Sequence, residues 1–397
     1  MIIQTKTLKV HPQQEEPEQN SKLINPRHQP GTAFIPIILR HLLIQSVSSP
    51  SNHSAILSTH HVLHIRSTTS KTALGDRDWM WGCGYRNIQM VFSAIRHRPN
   101  YSSLLANHPL LTANFNPKGS SSLQTHHQTF HSPQLAQIPS ISTLQHLIED
   151  AWRAGFDPEG AADFGGSLIN KKKWIGTTEA FVALARLGIR VRIVDFPQPS
   201  GPDGLHIKLF EWVQNYFSSP ELAFGDHGSD SQLMSKDCRI KLTHKLPLYF
   251  QHSGHSRTII GVETDNQGIQ NFLILDPAKS ISTPIKTASQ LIRSIADSNS
   301  SASSFELADL FGRSLPVPQV SSPSNSYLSS KRVKSIVGSF QASFGSTLHP
   351  ELLSPYRISL KALSRKRQYQ ILCVDDALPI PPQEQVNWHI IRSTRIE

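Results

Sequence analysis

The chain has 397 residues, 39 basic against 29 acidic, for a net charge of +10, and only 38% hydrophobic and 17% charged residues. That composition fits a folded core diluted by polar insertions, and three scattered cysteines exclude a disulfide framework or a paired Cys-x-x-Cys metal site. The basic runs Lys171–Lys173, Lys331–Lys334 and Arg365–Arg367 are short and accompany no aromatic-interleaved or zinc-finger motif, so they read as solvated surface and no nucleic-acid partner is expected.

Residues 1–30 read as a disordered leader with no signal-peptide pattern. Thr32–Val47 follows as an amphipathic helix, too short and polar to span a bilayer. A short strand is expected at His61–Ile65. The run Gly75-Asp76-Arg77-Asp78-Trp79-Met80-Trp81-Gly82-Cys83-Gly84-Tyr85-Arg86-Asn87 then brackets a cysteine with glycines. Ile88, Val91, Phe92 and Ile95 behind it share one helix face, so Cys83 stands at a turn opening a buried helix. Asp76 and Asp78 read as turn residues.

Residues 97–138 read as a polar loop. Helices are expected at Thr143–Ala154, capped by Ser142 or Thr143 and stopped by Gly155, and at Thr177–Leu187, stopped by Gly188. A strand at Val191–Phe196, a helix at Leu209–Phe217 and strands at Leu248–His252, Thr258–Glu263 and Phe272–Leu275 follow. Residues 281–350 read as a Ser-rich insertion of low order, 351–380 as the region of the last core strand (Gln368–Val374), and 381–397 as a Pro-rich tail.

A cysteine attacks as thiolate, which a helix amino terminus and a neighbouring histidine both favour. Pairing Thr258–Glu263 with Phe272–Leu275 about an Asp265–Asn266 turn sets Ile259 opposite Phe272 and, extended outward, His255 opposite Asp276. A carboxylate beside a histidine fixes the imidazole's tautomer and orientation. Cys83, His255 and Asp276 are therefore the candidate nucleophile, base and orienting acid. His252, three residues earlier, is the rival base; on one continuous strand it points to the opposite face from His255. Cys238 and Cys373 lack a glycine-flanked helix start and read as structural.

These segments resemble the zinc-finger-containing ubiquitin peptidases and the ubiquitin-fold-modifier-specific proteases related to them. The resemblance rests on Trp81-Gly82-Cys83-Gly84-Tyr85-Arg86-Asn87, Ile148-Glu149-Asp150-Ala151-Trp152 with Gly155-Phe156-Asp157-Pro158, Trp174-Ile175-Gly176 with Glu179, Ile193-Val194-Asp195-Phe196, Phe210-Glu211-Trp212, Gln251-His252-Ser253-Gly254-His255-Ser256-Arg257-Thr258 and Leu275-Asp276-Pro277. It spans about residues 30–280 and resumes at Gln368–Val374, making 31–280 the peptidase domain.

The resemblance implies a papain-like α/β fold with a central, mainly antiparallel sheet flanked by helices. It implies a cofactor-free thiol peptidase acting on ubiquitin or a ubiquitin-like modifier with Cys83, His255 and Asp276; a monomer is expected, and the unpaired cysteines with no signal-peptide pattern point to the cytoplasm or nucleus. It also implies that Asp157, Trp174 and Glu179 bind the modifier's tail. Asp276-Pro277 is followed by Ala278, where the modifier-specific branch carries its histidine, so the ubiquitin-directed branch is the nearer one. Three departures stand out: Trp79-Met80 lengthens the approach to the nucleophile, residues 61–82 offer no Gln, Asn or Tyr as oxyanion donor, and the amino-terminal zinc fingers are absent. Trp81 or a distant loop is left to supply the donor. A different modifier, a catalytically impaired ubiquitin-binding module and a basic scaffold remain the alternatives.

Overall fold

The computed structural model describes residues 31–47, 53–69, 77–112, 135–220, 239–298, 348–375 and 377–397. The expected leader, Asp76, Cys238 and most of the Ser-rich insertion lie outside the described residues.

In chain order the elements are α1 (Ile35–Gln45), β1 (Ser54–Leu57), α2 (Cys83–Ile95), α3 (Pro99–Ala106), α4 (Pro109–Thr112), α5 (Ile141–Arg153), α6 (Pro158–Asp163), α7 (Thr177–Arg186), β2 (Val191–Phe196), α8 (Ile207–Ser218), β3 (Ile240–Leu242), β4 (Leu248–His252), β5 (His255–Thr264), β6 (Gln270–Leu275), α9 (Thr283–Ser298), β7 (Arg357–Ser359), β8 (Tyr369–Val374) and β9 (Ser393–Arg395). Among the described residues one mixed sheet runs β3-β1-β5-β4-β8-β2-β9, with β6 beside β5 and β7 beside β6. Only β1–β3 and β2–β9 pair in parallel. The α/β architecture expected from the sequence, a mainly antiparallel sheet flanked by helices, is what the chain adopts.

The alternation of the strands explains the two-sided core. Tyr249, Leu372 and Val374 face one layer with α1, α2, α5 and α7, while Leu248, Phe250, Ile371 and Cys373 face the other with α8. On α8, Phe210 stacks on Phe272 with ring centroids 5.4 Å apart. Each such buried aromatic contributes about 1.5–3 kcal/mol. A bulge in β5 between Ile259 and Gly261 shifts the pleat, so that Ile259 and Val262 both enter the α8 layer despite their odd spacing.

Several expectations need correction. The polar loop at 97–138 begins with α3 and α4; Pro99 starts α3, whose Tyr101 and Leu105, one turn apart, are buried. The helix cap is Ser140, whose hydroxyl accepts from Thr143 N, so α5 begins two residues before the expected start. His61–Ile65 forms only a bridge, Thr32 with His64. The insertion opens with the 16-residue α9, whose Ile285, Ala288 and Ile292 are buried. The expected tail supplies β9, and its Trp388 stacks on Phe181 of α7 at 5.8 Å.

Candidate active site

Cys83 is the first residue of α2, and its backbone N–H belongs to the first turn, which has no intrahelical acceptor. The flanking glycines are required by close approach. A Cβ on Gly84 would lie 2.6 Å from Ile175 Cγ1 and 2.8 Å from the Ile175 carbonyl oxygen; one on Gly82 would lie 2.4 Å from Asp78 Oδ2.

Asp78 is more than a turn residue. It is fully buried and accepts four hydrogen bonds: Thr68 N at 2.8 Å, Thr68 Oγ1 at 2.7 Å, Arg86 Nε at 2.8 Å and Arg86 Nη2 at 2.9 Å. It thereby ties the approach loop to the first turn of α2. Asn87 ties the same turn to the sheet: Nδ2 donates to the Cys83 carbonyl at 2.8 Å and to Ser256 Oγ at 3.0 Å, and Oδ1 accepts from Thr258 Oγ1 at 2.8 Å.

The structure brings Cys83, His255 and Asp276 together. His255 Nε2 lies 2.9 Å from Asp276 Oδ1. The carboxylate can only accept, so Nε2 carries hydrogen and Nδ1 is left to face sulfur. The His255 ring and Ser256 stand beside the Cys83 thiol and favour its charged form. Burial alone would push the thiol up, but these two neighbours outweigh it and hold the thiol below its usual range. Burial likewise disfavours charge on His255, yet the bonds to Asp276 and Cys83 prevail and push it up to about 9. Asp276, also buried, is held well below the usual carboxylate range by His255, Arg257 and the Ala278 N–H. All three shifts favour a thiolate–imidazolium pair beside a carboxylate.

The contact expected from the hairpin exists, but the register differs. Thr258 pairs with Leu275 and Val262 with Phe272, so one step along the ladder Asp276 falls opposite Arg257. His255 meets Asp276 diagonally, two residues away on the same face. The longer turn accounts for the slip and the bulge takes one residue of it back, which sets Arg257 rather than His255 opposite Asp276. His252 also needs correction. Ser253-Gly254 is a hairpin turn, with Gly254 at φ +91°, so His252 and His255 are directly opposite and share a face.

Trp174 is 54% exposed, not core, and Gly254 faces it: a Cβ there would lie 4.0 Å from Trp174 Cζ3. Ile175 packs on Gly84, and a Cβ on Gly176 would lie 3.0 Å from Gln251 Nε2. Trp174–Gly176 and Gly254–His255 thus form the two walls beside the nucleophile. Helix α5 fixes the first wall. Glu149 Oε1 accepts from Leu168 N and Ile169 N at 2.6 and 2.7 Å, and Gln145 bonds Asn170 N at 3.2 Å and the Lys171 carbonyl at 2.8 Å.

Glu179 is buried rather than a surface residue; its Oε2 accepts from Gly176 N at 2.6 Å, capping α7. Asp157 caps α6 through Oδ1 to Gly160 N at 3.2 Å, while its Oδ2 is buried with no hydrogen-bond partner. Burial first pushes both carboxyls up; repulsion by Glu159 and Asp163 adds to it at Asp157, and repulsion by Asp157 and Asp163 at Glu179.

The Trp81 indole is not free to serve as oxyanion donor, because its N–H donates to the Arg77 carbonyl at 3.2 Å. Gln251, which the sequence reading passed over, accepts Tyr249 O–H on Oε1 at 2.9 Å, which leaves its NH₂ group toward Gly176. Among the described residues no group of His, Cys, Asp and Glu could hold a metal ion, and no helix is long and apolar enough to cross a membrane.

Residues 119–310, which include His255 and Asp276, match the model of Peptidase family C78. The chain is 37% identical over 206 residues to zinc finger-containing ubiquitin peptidase 1 of Homo sapiens, covering 52% of this chain and 28% of that protein. It is 30% identical over 198 residues to ubiquitin carboxyl-terminal hydrolase mug105 of Schizosaccharomyces pombe, covering 50% of this chain and 59% of that one. A crystal structure of UfSP from C. elegans overlaps 62% of this chain and 32% of its own at 16% identity and a TM-score of 0.32. The chain thus spans about a quarter to three-fifths of the relatives it matches. The family match thus takes in just under half of the chain, and what it shows is similarity to peptidase family C78 over residues 119–310.

Proposed function

We propose that this chain is a deubiquitinating cysteine peptidase, hydrolysing the peptide or isopeptide bond after the carboxyl-terminal Gly-Gly of ubiquitin. The observation that carries the reading is the contact of Cys83, His255 and Asp276, which are remote in sequence. Sulfur attacks the terminal glycine carbonyl as thiolate. His255 holds the proton it took from the thiol and passes it to the leaving amine, giving an acyl-thioester. Water, deprotonated by His255, then cleaves the thioester and restores the thiol. Asp276 keeps Nε2 protonated and the ring in place. The Cys83 N–H, with the Gln251 amide as side-chain candidate, stabilises the oxyanion.

Substrate selection follows from the walls. Trp174 against Gly254, and Ile175 over Gly84, leave a slot suited to residues without side chains. The buried carboxylates Asp157 and Glu179 suit the arginines that precede Gly-Gly in a ubiquitin tail, through charge-assisted hydrogen bonds. All three reacting groups come from one chain, so a monomer suffices, and a free thiol requires a reducing compartment such as cytoplasm or nucleus.

Parallel probes made of ubiquitin and of the ubiquitin-fold modifier, each ending in a thiol-reactive electrophile, test the reading. Wild-type chain is expected to label with the ubiquitin probe and Cys83→Ala not at all. Preferential labelling by the other modifier replaces the substrate. No labelling by either, or labelling that survives Cys83→Ala, removes the proposed activity.

A further inference from the structure

Arg257 contacts the carboxylate that is bound to His255. Its Nε donates to Asp276 Oδ2 at 2.9 Å, and its Nη1 lies 3.1 Å from His252 Nε2. The other carboxylate oxygen, Oδ1, accepts from His255 Nε2 and from Ala278 N, each at 2.9 Å. The two oxygens are therefore divided between an arginine and a histidine that stand two residues apart on one face of β5.

The hydrogen-bond chemistry fixes the state of His252. Its Nδ1 faces the Ser253 carbonyl at 2.9 Å, which accepts only, and its Nε2 faces a guanidinium, which donates only. One arrangement satisfies both: a neutral ring with hydrogen on Nδ1. Protonation of Nε2 would set two donors against each other and release the arginine. Burial, and then the charges of Arg257, Lys366 and His255, favour the neutral form of His252, and the Tyr369 ring stands edge-on at 5.8 Å.

We propose that Arg257, anchored by neutral His252, is a positioning residue that holds the Asp276 carboxylate in the orientation serving His255 and tempers its pull on the imidazole. The second half is Coulombic. Asp276 by itself favours the imidazolium; the guanidinium on its other oxygen offsets part of that attraction. A base held too strongly protonated releases its proton poorly to a leaving amine. This inference rests on the proposed thiol chemistry of the site, but part of its test does not need the modifier.

Iodoacetamide alkylation of Cys83, followed by peptide mass spectrometry from pH 4 to 10, reads the thiolate–imidazolium pair directly. Hydrolysis of ubiquitin carrying a carboxyl-terminal fluorogenic amide reads turnover. For Arg257→Gln the upper inflection is expected to rise by about one pH unit. Its kcat is expected to fall roughly 10- to 100-fold, the span of a lost charge-assisted hydrogen bond, with KM within twofold. Arg257→Lys, which keeps the charge without the fork, is expected to restore the inflection but not the full kcat, and it serves as the second variant if Arg257→Gln folds poorly. Unmoved inflections in both variants, or a loss confined to KM, overturn the proposal. Shifted inflections in a protein that never cleaves ubiquitin amide would keep the role of Arg257 and remove the proposed substrate.

Discussion

Replacing Asp78 by alanine should cost this protein a large part of its stability, although Asp78 stands outside the reacting trio. The carboxylate is fully buried and the Arg86 side chain is only 13% exposed, so solvent screens the pair little. Alanine removes all four hydrogen bonds. It leaves Arg86 with the 3.0 Å contact to Gln89 Oε1. Removing one partner of a buried ion pair typically costs about 3–5 kcal/mol. Against a total of about 5–15 kcal/mol for a folded domain, that is a third or more. Asp78→Asn keeps the volume and one oxygen, and should lose about 1.5–3 kcal/mol, the worth of a hydrogen bond to a charged group. Urea unfolding at neutral pH, followed by tryptophan fluorescence, gives both numbers. Adding Arg86→Met to Asp78→Ala should recover more than 1 kcal/mol relative to the sum of the single changes, because no buried charge is then stranded. Losses below about 1 kcal/mol for Asp78→Ala would refute the view that this pair fastens the nucleophile's turn.

Other expectations follow from the same geometry. Trp174→Ala should raise KM for a ubiquitin amide about tenfold or more and leave Cys83 alkylation unchanged, because it removes one wall of the slot and none of the proton chemistry; steady-state kinetics checks this. Glu179→Gln should lower stability by about 1 kcal/mol through the weakened cap on α7, visible in urea unfolding, and should also raise KM. The His61 ring stacks on His97 and tilts against His60, each at a centroid spacing of 4.0 Å; burial first, and then neighbouring cationic and histidine groups, hold the three neutral, lowering His60 and His97 to about 4 and His61 to about 2. A lowered folded value means that the unfolded chain binds protons first. This contribution is therefore complete above the ordinary histidine value of about 6.5 and is lost progressively as pH falls below it. The urea midpoint should drop between pH 6.5 and 4, and His97→Phe should flatten that drop. His255 has the opposite sign. Raised to about 9, it stabilises most below its unfolded value and loses that contribution as pH climbs through about 9; a high-pH urea series should show the loss, and Asp276→Asn should abolish it.

Sequence alone determined the helices with an unbroken apolar stripe, such as α2, α5 and α7, and the glycine-flanked Cys83 that opens one of them. Local periodicity and glycine placement are short-range properties, so they are readable without a partner. The hairpin of β5 and β6 was readable too, because its strands are neighbours in the chain. Its register was not, since turn length and a bulge set it and both depend on what packs beneath the strand. The tertiary structure decided which side chains share the carboxylate of Asp276, that His252 faces His255 across a two-residue turn, and that Asp78 is a buried partner of Arg86. It also brought the last strand, β9, beside β2. Each of these is a contact between residues whose spacing along the chain carries no information about distance, and only burial and the hydrogen bonds it enforces made them specific.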